Sequence, residues 1–512
     1  MKAACISSHQ NSIPSLGLST AVALFAAVVL FAASGAHGAA ITWGSATTIS
    51  AATDVITTGA LKYAYTESNL AASVNGVSFS AGSSFTSLGG GNVTLSGTGF
   101  TRVDNIYLTP TGISGDYTRL LSGGASASAN ATTGTVTLNN ITAGHDYATQ
   151  IWVNDSRGGV ISRAETVTST GGNTVTLNYA NSNSKNSAGQ FSVGRFVADG
   201  ASQAFTLQGN ANAPALLNAI QVRDVSASWS GTTSGTWANS DTTSSNFSGL
   251  NFTAAKAQST VAVFGDTTTA GGAVSNYNLT VGAGGASTGT VLFENTTAQS
   301  YTIGSADSTG ITGTTAITKT GNGTVTFTGS NTYTGATTIN AGKLVLGDAA
   351  ADNFATSGVT VGANGTLAGS GTLSGTLSVS GLLAPGNGGT GTLAAGTTTW
   401  NGSGGIWEFE LTSPGASDKL DITGNFTKGS GSVFQFNFMN STPLSGTYTL
   451  IDWSGSTAFL ASNFSFTGLS SAYNGSYFTI NGSQLDFTAV PEPTSALAGL
   501  LITAGLLRRR RA

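Results

Sequence analysis

From Lys319 to Gly347 the chain reads K-T-G-N-G-T-V-T-F-T-G-S-N-T-Y-T-G-A-T-T-I-N-A-G-K-L-V-L-G. Within it, Thr324-Val325-Thr326-Phe327-Thr328 alternates polar and apolar residues, the two-residue period of a half-buried strand. Gly followed by Thr or Lys and then by Leu or Val recurs at Gly323, Gly342, Gly365, Gly371, Gly375 and Gly391. One such turn of chain cannot bury its apolar face alone, so stacked coils, with strands about 4.8 Å apart, are expected to supply the stability. Glycine would let the corners adopt left-handed or bulged conformations. A β-sandwich with Gly-rich hairpins is the alternative for the same pattern.

The stretch resembles the autotransporter-associated β-strand repeat, with Gly321, Gly323, Asn331, Tyr333, Gly335, Thr337, Gly342 and Leu344 on the family's recurring positions. Residues Trp229 to Thr318 are similar to the lead-in of such proteins. Downstream, Val359-Thr360-Val361, Leu383-Ala384-Pro385-Gly386 and Ser417-Asp418-Lys419-Leu420-Asp421-Ile422-Thr423-Gly424 are passenger-like. The resemblance implies a parallel β-solenoid. It extends to the passenger architecture only, because Phe487 leads into a different kind of tail and not into the alternating strands of a membrane barrel.

That tail is Val490-Pro491-Glu492-Pro493-Thr494, an apolar run from Ala496 to Leu507, and Arg508, Arg509, Arg510 and Arg511. The run would reach roughly 18 Å as a helix at about 1.5 Å per residue, short of a hydrocarbon core of about 30 Å. The arginines would stay cytoplasmic and snorkel, while Pro491 and Pro493 stop the helix from continuing. The tail resembles the PEP-CTERM sorting signal. The resemblance implies export, transient inner-membrane anchoring, processing by an exosortase-type enzyme, and delivery to the cell surface, outer envelope or an extracellular matrix rich in exopolysaccharide. At the other end, Lys2, the apolar Ala21 to Ala33 and the small residues Ala36-His37-Gly38-Ala39-Ala40 have the layout of a secretory signal peptide.

Composition excludes several chemistries. The chain has 1 Cys and 3 His, and of these only His145 lies beyond the signal segment, so no disulfide, thiolate site or His-rich metal cluster is expected. No cofactor and no metal are expected. Charged residues make up 8% of the chain and its formal net charge is −4, which argues against nucleic acid as a partner. With 71 Gly and 39% hydrophobic residues, the composition suits an all-β chain. No helix is expected between the terminal signals.

Five segments are expected: a signal peptide at 1–39, a β-sandwich at 40–224, a β-rich lead-in at 225–318, the repeat and solenoid at 319–489, and the sorting signal at 490–512. In the second, short strands at Leu61 to Tyr65, Thr135 to Leu138, Tyr147 to Val153, Gln190 to Val197 and Leu217 to Val222, among others, favour an antiparallel sandwich. Its pattern is faintly similar to jelly-roll carbohydrate-binding modules. Trp152, Asn154, Asp155 and Arg157 leave one strand end together as an aromatic platform with planar hydrogen-bonding groups, a candidate glycan site. The competing reading is a core tryptophan beside a turn ion pair. His145, without a matched nucleophile, reads as a loop residue.

Glu408 and Glu410 share one strand face, as glycosidase carboxylates or, more simply, as a solvated face. Asp418 and Asp421 suit turn capping better than Ca²⁺. A lyase would need clustered cations, whereas Lys319, Lys343 and Lys419 are separated in sequence. The expectation is therefore a non-catalytic exported scaffold or adhesin, not an enzyme. The alternatives are a polysaccharide lyase or hydrolase on a β-helix, or a carbohydrate-binding module.

Overall fold

The computed structural model describes residues 38–82, 87–97, 99–103, 110–113, 115–157, 162–238, 246–248, 260–347, 349–439 and 444–492. Residues 1–37 of the segment read as a signal peptide, and Pro493 with Arg508 to Arg511 of the segment read as a sorting signal, lie outside these residues. The described chain is almost entirely strand. It holds one α-helix, Asp116–Ser122, where none was expected. This short element forms because Tyr117, Leu120 and Leu121 fall on one face and are buried. No helix among the described residues is long and apolar enough to cross a membrane.

The first half forms two large sheets and a small one of Leu216–Leu217, Gly124–Ser126 and Thr101–Val103. One large sheet runs in the order Thr42–Trp43, Gln190–Val197, Asp146–Val153, Ala219–Asp224, Ala60–Thr66, Val77–Ala81, Ala72–Val74. The other runs Val175–Asn178, Ala164–Thr168, Ser202–Gly209, Thr133–Asn139, Val93–Gly97, Ser87–Leu88. Pairing is antiparallel apart from Ala60–Thr66 against Val77–Ala81. Alternate residues of both sheets, including Tyr63, Leu138, Ile151, Phe205 and Ile220, meet in one core.

From Ala227 onward the pairing becomes parallel and forms ladders. The first ladder stacks Ala227–Trp229, Val261–Phe264, Thr290–Phe293, Ala316–Lys319, the start of Thr337–Leu346, the start of Gly358–Gly369, Thr376–Val379, Thr398–Trp400 and Phe426–Lys428. The second stacks Thr236–Trp237, Asn278–Val281, Tyr301–Ser305, Thr324–Thr328, the later halves of the two long strands, and Leu382–Pro385. A third runs from Asn353–Phe354 through Thr372–Leu373, Thr392–Ala395 and Lys419–Ile422 to Gly446–Trp453. There the antiparallel strands Gln484–Ala489 and Tyr477–Asn481 close it.

Inward positions line up rung over rung: Ile317, Thr337, Val359, Leu377, Thr398 and Phe426 form one row, and Val325, Leu344, Leu367 and Leu383 another. The apolar members belong to one continuous core from Ala227 to Ala489, and Thr337 and Thr398 are buried within the row. Each fully buried Val, Leu, Ile or Phe contributes about 1.5–3 kcal/mol. Toward the C-terminal end the rows become aromatic, with Trp400 and Trp407 stacked at 3.8 Å and Phe436, Phe438, Phe478 and Phe487 beyond them.

Coil corners explain the glycine content. At Gly381 a Cβ would lie 2.2 Å from the Gly362 carbonyl oxygen of the preceding rung, and at Gly405 it would lie 2.0 Å from that of Gly381. Backbone cannot move aside as a side chain can. Gly381→Ala should therefore lower stability by about 1–3 kcal/mol, whereas Gly389→Ala, where nothing lies within 4 Å, should be near neutral. Urea denaturation of the two variants beside the parent checks this, and equal effects would remove the close-approach argument.

Candidate functional site

A cluster of ionisable groups forms where the front sheets meet the first rungs of the stack. A turn with Gly144 at φ +86° delivers His145 just before the strand Asp146–Val153. Register pairs Tyr147 with Asp224, at the end of Ala219–Asp224, so the Asp224 side chain arrives beside the ring. Glu294 follows the rung Thr290–Phe293, and its backbone N–H donates to the Phe264 carbonyl. His145 Nδ1 lies 2.5 Å from an Asp224 oxygen and Nε2 lies 3.0 Å from a Glu294 oxygen.

The His145 side chain is 6% exposed. Burial opposes a charged ring, but hydrogen bonds and charges from Asp224 and Glu294 outweigh it and lift the pKa from 6.5 to about 9. At neutral pH the ring is an imidazolium donating from both nitrogens. In that state it has no lone pair with which to act as a general base.

Its neighbours reinforce the junction. The Tyr147 hydroxyl accepts from the Thr142 N–H at 2.9 Å, and Asp146 accepts from Arg195 at 2.7 Å and from the Thr260 N–H at 3.3 Å. Burial pushes the Asp146 carboxyl up, with Arg195 opposing. Beside the triad opens a cleft of about 230 Å³ whose walls include Lys62, Thr142 and Thr267 to Thr269.

The proposed glycan residues are placed differently from a surface platform. Trp152 is fully buried, packed edge-on against Phe79, and its indole N–H donates to the Tyr117 hydroxyl at 3.1 Å. No face of the ring is open to a sugar, because tertiary packing covers the side of the strand that alternation left polar. Asn154 is also fully buried, where its side-chain oxygen accepts from Ser156 and the Gly189 N–H. Asp155 takes a two-pronged contact from Arg157, and Arg163 at 2.7 Å. These contacts outweigh burial and hold its carboxyl below the usual range.

Glu408 and Glu410 are half-buried positions on the outer face of Ser403–Ser413, where Glu408 accepts from Asn437. Asp418 caps backbone, accepting from the N–H groups of Gly391 at 2.8 Å and Glu410 at 2.7 Å. Burial lifts it to about 7 against those hydrogen bonds. Asp421 registers beside Asp452 on the next rung, and Asp452 pairs with Lys419.

The Lys319 ammonium is buried, donates to the Gly321 carbonyl, and is lowered to about 8 by desolvation. Lys343 reaches Asn387 at 3.3 Å. Among the described residues no three His, Cys, Asp or Glu side chains gather to hold a metal ion.

Sequence reading missed the triad because its members are 79 and 149 residues apart. The available signal was weak: the one histidine after position 37, followed directly by an aspartate. Because the folded pKa of His145 is raised, its contribution is complete below about 6.5, the unfolded value. It is lost as pH climbs through about 9. At pH 7 wild type should exceed His145→Gln by roughly 2–3 kcal/mol, with most of that difference gone at pH 10. Urea unfolding of both proteins at the two pH values measures it, and a pH-independent difference would exclude the imidazolium.

A family model described as the passenger-associated-transport-repeat matches residues 317–346. The match spans the end of Ala316–Lys319, all of Thr324–Thr328 and Thr337–Leu346, hence two successive rungs of the stack. No curated protein matches the chain.

Proposed function

We propose that this chain is an exported, non-catalytic surface or extracellular-matrix protein, a scaffold or adhesin associated with exopolysaccharide and sorted by a PEP-CTERM-type tail. The observation that carries the reading is the parallel stack itself: parallel ladders around one apolar core, with a passenger-associated-transport-repeat match across two of its successive rungs. An elongated body of this kind offers a long surface without long-range loops. In this reading the stack is a parallel β-solenoid, the front half is a jelly-roll-like sandwich, and the segment boundaries are those expected from the sequence.

The sorting assignment rests on the sequence of the tail. Among its described residues, Val490 donates its N–H to the Ser476 hydroxyl, and Glu492 donates its N–H to the Ala472 carbonyl. The chain is thereby tied to the end of the stack immediately before Pro493. A sorting enzyme would meet the tail just outside a closed terminus.

In a host with an exosortase, replacing Arg508 to Arg511 with uncharged residues should cause missorting and loss of processing. Mass spectrometry of the mature C-terminus, with fractionation of envelope and medium, reads the outcome. Unchanged processing and location would refute the sorting signal.

A further inference from the structure

The outward face of the first ladder changes character along its length. Over the first rungs its outward residues Val261, Val263 and Leu292 are buried together, and Leu292 lies against Gly144 of the front half, where a Cβ would come within 3.1 Å. From the next rung onward the same row continues as Thr318, Thr338, Thr360, Ser378, Thr399 and Thr427, each in register with the one before. These residues are half-buried or exposed; Thr318 to Thr399 lie between buried inward neighbours, and Thr427 lies between buried Phe426 and half-buried Lys428. Among the described residues, Ser378 alone of these hydroxyls has a hydrogen-bond partner, accepting from the Asn401 amide at 3.2 Å.

A second outward row starts at Glu294 and passes through Thr320, Asn340, Gly362, Ser380 and Asn401, one residue beyond each paired inward position. From Ala316 to Asn401 no outward position of this ladder carries a charge. The second ladder offers no comparable strip, since its outward Val345 and Ala368 are buried. The Glu294 end of the strip opens into the junction cleft. There an imidazolium and the Lys62 ammonium face two carboxylates, so formal charges balance, and the Glu294 side chain is its partly open member at 29% exposed.

We propose that this strip and the junction cleft form one binding groove for a neutral polysaccharide chain. The inference deepens the surface-protein reading and rests on it for the class of partner. A polymer of hydroxyl groups both donates and accepts hydrogen bonds, as do the Thr, Ser and Asn side chains of the two rows. An acidic polysaccharide would find no counter-charge on the strip from Ala316 to Asn401, with only Lys428 beside its last rung, whereas a neutral one leaves no charge unpaired.

Six rungs at about 4.8 Å cover about 24 Å, enough for several sugar units. The rigid backbone holds the hydroxyls at fixed spacing, which lowers the ordering cost of binding. In the cleft, carboxylate oxygens and the ammonium supply charge-assisted hydrogen bonds to sugar hydroxyls at one end of the groove. The front half forms the wall at that end.

Affinity electrophoresis of the full chain through gels containing dextran, galactomannan, a β-1,3-glucan or alginate tests the groove. At least one neutral polymer should retard the wild type, and alginate should not. The double variant Thr360→Lys, Thr427→Lys changes exposed positions only and should weaken the retardation about tenfold with thermal unfolding unchanged. Thr338→Val, which keeps the shape and removes one hydroxyl, should weaken it less.

The proposal is overturned if no neutral polymer retards the wild type, if alginate retards it equally, or if the double variant binds as the parent does. It is also overturned if the strip inhibits ice growth and binds no glycan. Surface labelling in the host separates the two readings. Surface location without glycan binding removes the groove and leaves the surface reading standing, whereas glycan binding by a protein confined to the cytoplasm does the reverse.

Discussion

Every rung of the stack depends on the one beneath it, through parallel backbone hydrogen bonds on its edges and an apolar row that only a neighbouring rung can cover. Phe327 illustrates the constraint. It sits over Ile303 and beneath Leu346 by register, is completely buried, and meets Phe293 and Phe354 at 5.9 and 6.3 Å. Remove a neighbouring rung and its ring faces water. Stability of such a body is a sum of nearest-neighbour terms, so its two ends need special treatment.

The ends are handled differently. At the C-terminal end the third ladder turns antiparallel, and Phe438, Phe466, Phe478 and Phe487 close over the last rungs. The exposed edge that a parallel strand would present to other chains is thereby shortened. Near the other end the front sheets cover the side of the early rungs, with Gly144 against Leu292 and Glu294 reaching back to His145. An ion triad at this boundary fixes where the front half sits along the ladder in a way that apolar contact alone does not. The early part of the ladder face is thus used inside the molecule, and its later part is left open.

Much of the fold is legible in particular residues. The strand read at Gln190 to Val197 is the strand observed, and those read at Leu61 to Tyr65, Thr135 to Leu138 and Tyr147 to Val153 each differ from the structure by at most two residues per end. Alternation survives translation into structure because one face of each strand is buried and the other is not. The helix Asp116–Ser122 was illegible because seven residues carry too little periodicity to stand out among polar turns. Trp152 was ambiguous for a related reason: alternation assigns it to the polar side of its strand, but the second face of that strand is also covered, by Tyr117, Phe79 and Phe191.

By itself the sequence determined local matters: short alternating strands, glycines where coils turn, a sparsely charged composition rich in Gly, Thr, Ser and Asn, and terminal segments of address-like composition. These are properties of neighbouring residues, which fix strand period and corner geometry without reference to distant chain. Tertiary structure alone decided which hydroxyls share a row and that His145 meets Asp224 and Glu294. It also decided that a tryptophan resembling a sugar platform is core. Each of these rests on register between segments tens to hundreds of residues apart, and a one-residue slip would send every side chain to the opposite face.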